Sequence, residues 1–587
     1  MPASLVPAVL GFLDETPYSE AFGDVYHSAA GGPAQAEHVF LRGNGLPQRW
    51  ARRERFVILE TGFGFGLNFL ATWQAWRRDP ERCGRLHFVS VEKHPFSLQD
   101  LQTLHDRYPA LKKEAAELHS VWPLLVSGGH RAELDNGKVV LTLFFADAKV
   151  LRELRLAADA IYLDGFSPAK NPEMWTSQLM RAVSRLAAPD ATVATWSVAA
   201  QVRASLERTG FAVEKRAGFG HKKEMLVGRN TRSENAFQRK ERNAVVIGAG
   251  LAGAAVCERL CARGWEVELI ERHPGPAQEA SGNPAGAFHP VVTSDDSIFA
   301  RLTRAGFLFS LNKWKSLPNV RWDRCGLLQL ARDEREAASQ VKAVAGLPAE
   351  YAQAVTRDEA SAHAGVPVAT GGIWFPDAGW IDPRSLVAAQ LDACGSRLTK
   401  GFGKELHKLP DDGIVILANS FEAPKLHPVP HLRLRRVRGQ LTYVPADQFE
   451  PPRVVVVRGG MVLPPLDGAC VVGASFDIDD NDPAPRAESH AGNLERLARI
   501  VPFATELKDL QGRVAFRSVT PDRLPVVGAL GENVYGAFAY GSRGLVWAAL
   551  AAELIASQLE GEPLPLEGKL VDALSPLRFR MRAGESA

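Results

Sequence analysis

Cysteine is scarce in this 587-residue chain, and its six residues, Cys83, Cys257, Cys261, Cys325, Cys394 and Cys470, are scattered without a C-x-x-C pair. That spacing excludes a sequence-evident zinc site or disulfide framework and predicts reduced thiols with no metal centre. Long apolar runs are missing too. No stretch approaches the length of a membrane span, and residues 1–20 carry no basic segment ahead of their short apolar run. These absences predict a soluble, cytoplasmic protein with no membrane partner. The chain also lacks an excess of charge of one sign: 69 basic and 67 acidic side chains leave a formal net charge of +2. A blanket electrostatic nucleic-acid binder is thereby excluded, although a local basic stripe is not. Internal repeats and low-complexity tracts are absent.

What is present is ordinary globular composition, 46% hydrophobic and 23% charged, spread over more residues than one hydrophobic core supports. Two domains are therefore expected. The polar, charged run between Gly228 and Asn243 separates two apolar strand-like segments, which places a first domain at 1–230, a linker at 231–243 and a second domain at 244–587. In the first, apolar runs at 56–60, 86–92, 139–145, 160–164 and 192–196 alternate with amphipathic stretches, the pattern of a parallel sheet wrapped by helices. In the second, a new unit of this kind begins at 244–247. A mixed region, roughly 294–445, then intervenes before nucleotide-fold features return. The fold class is α/β: a Rossmann-like domain, then a second Rossmann domain with an inserted α+β substrate domain.

The first candidate site starts where the strand at 56–59 runs into Glu60, Thr61, Gly62, Phe63, Gly64, Phe65 and Gly66, with a helix expected over 67–76. Glycines there let the backbone approach a ligand at the carboxyl end of the strand, where a doubly wound sheet has its crevice. A glycine turn alone is weak evidence, since packing turns look alike. Glu92, however, ends the next strand, placed to accept both hydroxyls of a ribose. Asp147 ends the third, within reach of an adenine amino group, and Asp164 ends the fourth. Standing alone, each would read as a solvated strand-end acid. Together they line one crevice with carboxylates, which suits a ligand bearing a cationic sulfonium better than a polyphosphate. The ligand indicated is S-adenosylmethionine, bound by Glu60, Gly62, Gly64, Gly66, Glu92 and Asp147.

The second candidate site has all four parts of a dinucleotide fingerprint. A strand at 245–247 leads into Gly248, Gly250 and Gly253, a helix opens, and Glu271 ends the following strand at a spacing close to the roughly 20 residues expected for a ribose-binding acid. The fingerprint does not separate NAD from FAD. The small residues of 280–286, among them Ser281, Gly282 and Asn283, favour FAD by supplying backbone amides where an isoalloxazine would lie.

Both halves resemble known families. E-T-G-F-G-F-G-L-N-F-L, S-V-E-K-H-P, L-D-G-F-S-P-A-K-N-P-E-M-W and G-F-G-H-K-K-E-M-L-V-G, spread over most of residues 1–230, are similar to the N-terminal half of the bifunctional tRNA 5-methylaminomethyl-2-thiouridine biosynthesis proteins. Phe65 departs from the threonine expected in that family's glycine loop. Downstream, Asn419, the run 517–528 and Gly541-Ser542-Arg543-Gly544-Leu545, opening a final helix, resemble the glycine oxidase and D-amino-acid oxidase superfamily. The resemblance implies FAD and S-adenosylmethionine as cofactors. It also implies a two-step reaction at the wobble uridine in the anticodon region of tRNA. The FAD half removes the carboxymethyl group from 5-carboxymethylaminomethyl-(2-thio)uridine, and the other half methylates the resulting amine. Asp164 is the candidate to hold the amine and take its proton, and Arg517 and Arg543 are the candidates to hold the substrate carboxylate. Gly544, at a helix N-terminus, would face the flavin. Arg433, Arg435, Arg436 and Arg438, with Lys222 and Lys223, are candidate tRNA contacts, though such runs are commonly solvated faces. A monomer is expected. Two other readings stay open at this stage: a fused amine oxidase and N-methyltransferase acting on free metabolites, and a flavin half that only binds RNA.

Overall fold

The computed structural model describes residues 5–232, 241–502, 508 and 510–582. Most of the 231–243 linker, residues 233–240, lies outside the described residues. The chain divides into two compact units, one of Ser4–Arg239 with Leu559–Gly568, the other of Lys240–Gln558 with Lys569–Ala587.

The N-terminal unit is built on β1 (Arg55–Glu60), α1 (Leu67–Arg78), β2 (Arg85–Glu92), β3 (Gly128–Leu134), β4 (Val139–Phe145), β5 (Ala158–Tyr162), β6 (Ala187–Thr195), β7 (Phe211–Ala217) and β8 (Glu224–Asn230). The eight strands form one sheet in the order β7-β8-β6-β5-β1-β2-β4-β3. The five central strands run parallel; β3, at one edge, and β8 run antiparallel to them, and β7 closes the other edge antiparallel to β8. The central strands are apolar on both faces because both are covered. Phe56, Ile58, Phe88 and Phe145 pack into one core, while Leu59, Val89, Phe144 and Ile161 pack into the other. The chain leaves β1 toward β2 on one side and returns to β5 on the other, so the carboxyl ends of β1, β2 and β5 border a topological switch point.

In the C-terminal unit, β9 (Asn243–Ile247), α2 (Leu251–Cys261), β10 (Glu266–Glu271), β11 (Leu398–Phe402), β12 (Ile414–Leu417), β13 (Arg435–Pro445), β14 (Asp477–Ile478), β15 (Gln511–Val519), β16 (Val526–Ala529), β17 (Val534–Phe538) and α3 (Gly544–Glu560) frame the second candidate site. One six-stranded sheet has the order β11-β10-β9-β12-β17-β16, parallel except at β16. A second, nine-stranded sheet is mostly antiparallel, and its longest pairing is β13 with β15.

This corrects the expectation of one insertion over 294–445. β11 and β12, inside that span, return to the nucleotide sheet, and the substrate sheet takes its strands from 327 to 375 and again from 435 to 519. β12 reads I-V-I-L and is buried throughout; an apolar run of that length fits either sheet, so only strand pairing decides its place. Nor is α3 the last helix, since Gly568–Leu574 and Arg578–Arg582 follow it. No helix among the described residues is long and apolar enough to cross a membrane.

Arg438, a candidate tRNA contact from sequence, is fully buried instead. Its guanidinium donates to Asp477 Oδ2 at 3.1 Å, Gln440 Oε1 at 3.0 Å, Ser489 Oγ at 3.2 Å and the carbonyls of Asp482 and Ala484 at 2.9 and 2.6 Å. It ties the 477–489 segment to β13, a role a sequence-local basic run cannot reveal. Replacing it leaves the Asp482 and Ala484 carbonyls without this donor and Asp477 without its paired charge, with Ser475 Oγ still donating to it. Arg438→Met is expected to lower stability by about 3 kcal/mol, read as a lower denaturation midpoint, whereas Arg433→Met, on an exposed side chain, should change it by no more than about 0.5 kcal/mol.

Candidate active sites

In the N-terminal unit a cavity of about 1240 Å³ opens at the carboxyl ends of β1, β2 and β5, lined by Gly62, Gly64, Glu92, Asp147, Asp164 and Trp196 among others. Glu92 is held from both sides: Oε2 accepts the Gly64 amide at 2.7 Å and Oε1 the His94 amide at 2.7 Å. Burial raises its pKa, and the two amides oppose that rise. Each oxygen keeps a lone pair for a ligand hydroxyl. Asp147 caps the short helix that follows β4, accepting the Lys149 amide at 3.0 Å, and faces Lys93 Nζ at 3.4 Å.

Asp164 accepts the Gly165 amide at 2.8 Å and Trp196 Nε1 at 3.1 Å on Oδ1, and Asn68 Nδ2 at 2.8 Å on Oδ2. Burial pushes its pKa up to about 6 despite these donors. Glu60 sits elsewhere than expected. It is fully buried under the cavity floor, outside the lining, where it accepts Ser90 Oγ at 2.7 Å and the same Asn68 amide at 2.9 Å. Burial, with the neighbouring Asp164, raises its pKa to about 8. One amide nitrogen therefore bridges two carboxyl groups. Sequence reading missed Asn68, since a single asparagine near the start of an amphipathic helix carries no pattern; its position directly after the glycine loop was the only signal. Gly66 also stands back from the cavity, as the left-handed residue that starts α1. Phe65 is 3% exposed, edge-on to Tyr26 and stacked on Tyr108 at 6.1 Å, so it extends an aromatic cluster at the cavity wall. Lys222 lies 4.8 Å over the Trp196 ring beside the cavity, and Lys223 is outside the lining.

The second cavity, about 650 Å³, lies in the C-terminal unit and is lined by Gly248, Gly250, Glu271, Ser281, Asn283 and Gly544 among others. Here Glu271 repeats the arrangement of Glu92: Oε2 accepts the Ala249 amide at 2.8 Å and Oε1 the His273 amide at 2.9 Å. Gly253 stands outside the lining because it serves packing; a Cβ there would run into the Gly248 carbonyl oxygen. Ser281 Oγ accepts the Leu251 amide at 3.0 Å, and Asn283 Oδ1 accepts Arg513 Nη1 at 2.7 Å. Gly282 also lies outside the lining and packs against Ala277 and Arg513.

Arg517 and Arg543 converge on this cavity. Arg517, on β15, crosses Gly439 of the neighbouring strand so closely that a Cβ there would stand 2.5 Å from Nη2, and Nη1 donates to the Ser475 carbonyl at 3.2 Å. Arg543, just before α3, donates to the His289 carbonyl at 3.3 Å. Burial lowers the pKa of both, that of Arg543 to about 10. Neither has a carboxylate partner in hydrogen-bond contact among the described residues. His289 is held neutral, its pKa lowered by burial and by Arg543 to about 3. The Tyr540 hydroxyl and Asn419 Oδ1, on residues lining the same cavity, are buried without a hydrogen-bond partner. A glycine loop, a pinned acid, unpaired buried polar atoms and a helix start fit a bound flavin dinucleotide.

If the two pinned acids are ribose clamps, losing each affects one cavity only. Glu271→Ala should weaken FAD retention at least tenfold, read as loss of yellow colour on dialysis, and leave S-adenosylmethionine affinity unchanged. Glu92→Ala should do the reverse in equilibrium binding. Loss of both ligands from either variant overturns the assignment.

Comparison with known proteins agrees with this geometry. The family model described as FAD dependent oxidoreductase matches residues 243–558, and that described as S-adenosyl-L-methionine-dependent methyltransferase matches residues 109–231. The cofactors are thus FAD and S-adenosylmethionine. The tRNA 5-methylaminomethyl-2-thiouridine biosynthesis bifunctional protein MnmC of Paraburkholderia phytofirmans is 47% identical, with 99% of this chain and 98% of that protein covered. The protein of the same name from an Azoarcus species is also 47% identical, with 98% of each covered. Glycine oxidase of Geobacillus kaustophilus, 21% identical with a TM-score of 0.50, covers 58% of this chain and 99% of its own, a likeness of fold. The chain belongs to the family of tRNA 5-methylaminomethyl-2-thiouridine biosynthesis bifunctional proteins.

Proposed function

We propose that this protein carries out two successive reactions on a wobble uridine in the anticodon region of tRNA, acting as a cytoplasmic monomer. The first removes the carboxymethyl group from 5-carboxymethylaminomethyl-(2-thio)uridine, and the second methylates the nitrogen of the 5-aminomethyl product. The observation that carries this reading is the pair Arg517 and Arg543, two half-buried arginines with no carboxylate in hydrogen-bond contact among the described residues, in a cavity that fits FAD. Such a pair suits a substrate that brings its own carboxylate.

Bound FAD supplies the two-electron oxidation, and bound S-adenosylmethionine supplies the methyl group. At the first site, Arg517 and Arg543 neutralise the carboxylate of the N-substituted glycine and fix its methylene. A guanidinium held across Gly439 has few alternative positions, so little ordering remains when substrate arrives. Neutral His289 adds no competing positive charge beside Arg543. Oxidation of the methylene–nitrogen bond gives an imine, and water splits it to glyoxylate and a primary amine. At the second site that amine is the nucleophile. Asp164 holds it and takes its proton, while Asn68 and Trp196 keep the carboxylate ionised and aimed. The relatives carry tRNA in their names, which favours tRNA over free amines as substrate.

Arg517→Ala should slow single-turnover flavin reduction by carboxymethylaminomethyl tRNA by about one to two decades, since a charged hydrogen bond of this kind is worth roughly 1.5–3 kcal/mol. FAD content and methylation of aminomethyl tRNA should stay as in wild type. A rate within about twofold of wild type would move the role to Arg543.

Methyl transfer should also depend on pH through Asp164. Its carboxylate is present above about 6 and is lost as pH falls through that value, so the acid limb of kcat/KM should include a step near 6. Asn68→Ala removes a donor to the charged form and should move that step up to about 7, without moving the limb due to the substrate amine. An unshifted profile shows that Asn68 does not act on Asp164.

A further inference from the structure

The mouth of the flavin cavity carries aromatic rings that the chemistry above does not use. Phe476, between Ser475 and β14, lines the cavity yet is 54% exposed, and Ile478, two residues on, is 50% exposed. The Phe476 ring centroid lies 5.9 Å from the Arg517 guanidinium carbon. Across the same opening, the Arg436 guanidinium stands 4.8 Å from the Phe421 ring and 5.0 Å from the Phe516 ring, and donates to Asn481 Oδ1 at 3.1 Å. Phe421, Arg436 and Phe516 line the cavity as well. Arg436 has no carboxylate partner among the described residues.

A ring held half in water beside a half-buried arginine suits a ligand that covers it. The substrate's dimensions say which part of the ligand that is. Between the uracil ring and the carboxylate stand a methylene, a nitrogen and a methylene, a reach of about 5 Å. A carboxylate held by Arg517 puts its own carbon about 4 Å from the guanidinium carbon, so the uracil edge lies up to about 9 Å from that guanidinium carbon. Phe476 is an exposed aromatic surface 5.9 Å from that carbon, and a base stacked about 3.5 Å off its ring falls within that span. A wobble base drawn out of the anticodon stack loses its neighbours, and an aromatic side chain restores a stacking face for it.

We propose that Phe476 is the stacking platform for the wobble uracil at the oxidative site, and that Arg436, held between Phe421 and Phe516, takes the adjoining phosphate. The partner surface is single-stranded RNA with an unstacked pyrimidine. This assignment rests on the oxidative reading of the cavity and adds how that site tells a tRNA nucleoside from a free N-substituted glycine. Phe476 contributes stacking to the base and no proton or charge to the reacting atoms, so it is a specificity-determining residue.

The test is flavin reduction by carboxymethylaminomethyl tRNA over a range of tRNA concentrations, using the full-length holoenzyme. Because Phe476 is exposed, Phe476→Ala should fold and keep its FAD. Its KM for tRNA should rise at least tenfold, with the limiting rate within about threefold of wild type. Phe476→Trp should restore the wild-type KM, which a merely structural role would not predict. Arg436→Gln should raise KM and flatten its dependence on salt, as expected of one lost phosphate contact. A wild-type enzyme whose flavin is not reduced by this tRNA overturns the oxidative reading itself. A responsive wild type with Phe476→Ala at its KM within twofold, or Phe476→Trp no better than Phe476→Ala, overturns the platform alone.

Discussion

The acid that ends the second strand of each nucleotide sheet is the constraint on which both sites depend. Glu92 and Glu271 each accept one amide from the glycine loop of the preceding strand and one from two residues downstream. A carboxylate buried among apolar strands is costly unless its oxygens are satisfied, and backbone amides satisfy them at fixed positions. The loop is thereby locked against the neighbouring strand, and the remaining lone pairs point where a ribose can use them. The same arrangement arises in two unrelated stretches of one chain, because a parallel strand pair joined through a helix brings the first turn and the second strand end together.

Beyond that shared device the cavities diverge, and the divergence is electrostatic. The first gathers carboxylates: Glu92, Asp147 and Asp164 in its wall and Glu60 beneath it. Burial holds Glu60 largely protonated near neutral pH, so Asn68 joins a neutral acid to a charged one instead of two like charges. The second brings together Arg517 and Arg543, which have no acid in hydrogen-bond contact among the described residues. A sulfonium donor with an amine nucleophile belongs with the former, and a substrate carboxylate with the latter. In the proposed reaction, a product without its carboxylate would leave Arg517 and Arg543 unpartnered, which would favour its release.

The basic run 433–438 shows how far local sequence can mislead about electrostatics. Four arginines lie on one segment, yet their environments share little. Arg433 is exposed, Arg436 is sandwiched between two phenylalanines, and Arg438 is fully buried in five hydrogen bonds. Arg433 precedes β13, and Arg436 and Arg438, two residues apart, share one face of it, so alternation does not separate them; the 477–489 segment, packed on Arg438, withdraws that one from solvent.

The sequence by itself determined the two nucleotide folds, their glycine loops and the acids Glu92, Asp147, Asp164 and Glu271. Those signals are local: a strand, a turn that only glycine fits and an acid at the next strand end all lie within a few tens of residues. Tertiary structure alone decided the rest. It set Glu60 beneath the floor and Asn68 between two carboxyl groups, since which side of a strand end or helix start faces a cavity depends on what packs against it. It returned 398–402 and 414–417 to the nucleotide sheet, because short apolar strands carry no label for their partner. It also brought Gly439, Phe476, Arg517 and Arg543 to one opening from four separate stretches of chain, a convergence made by strand pairing across long sequence separations, which no local pattern encodes.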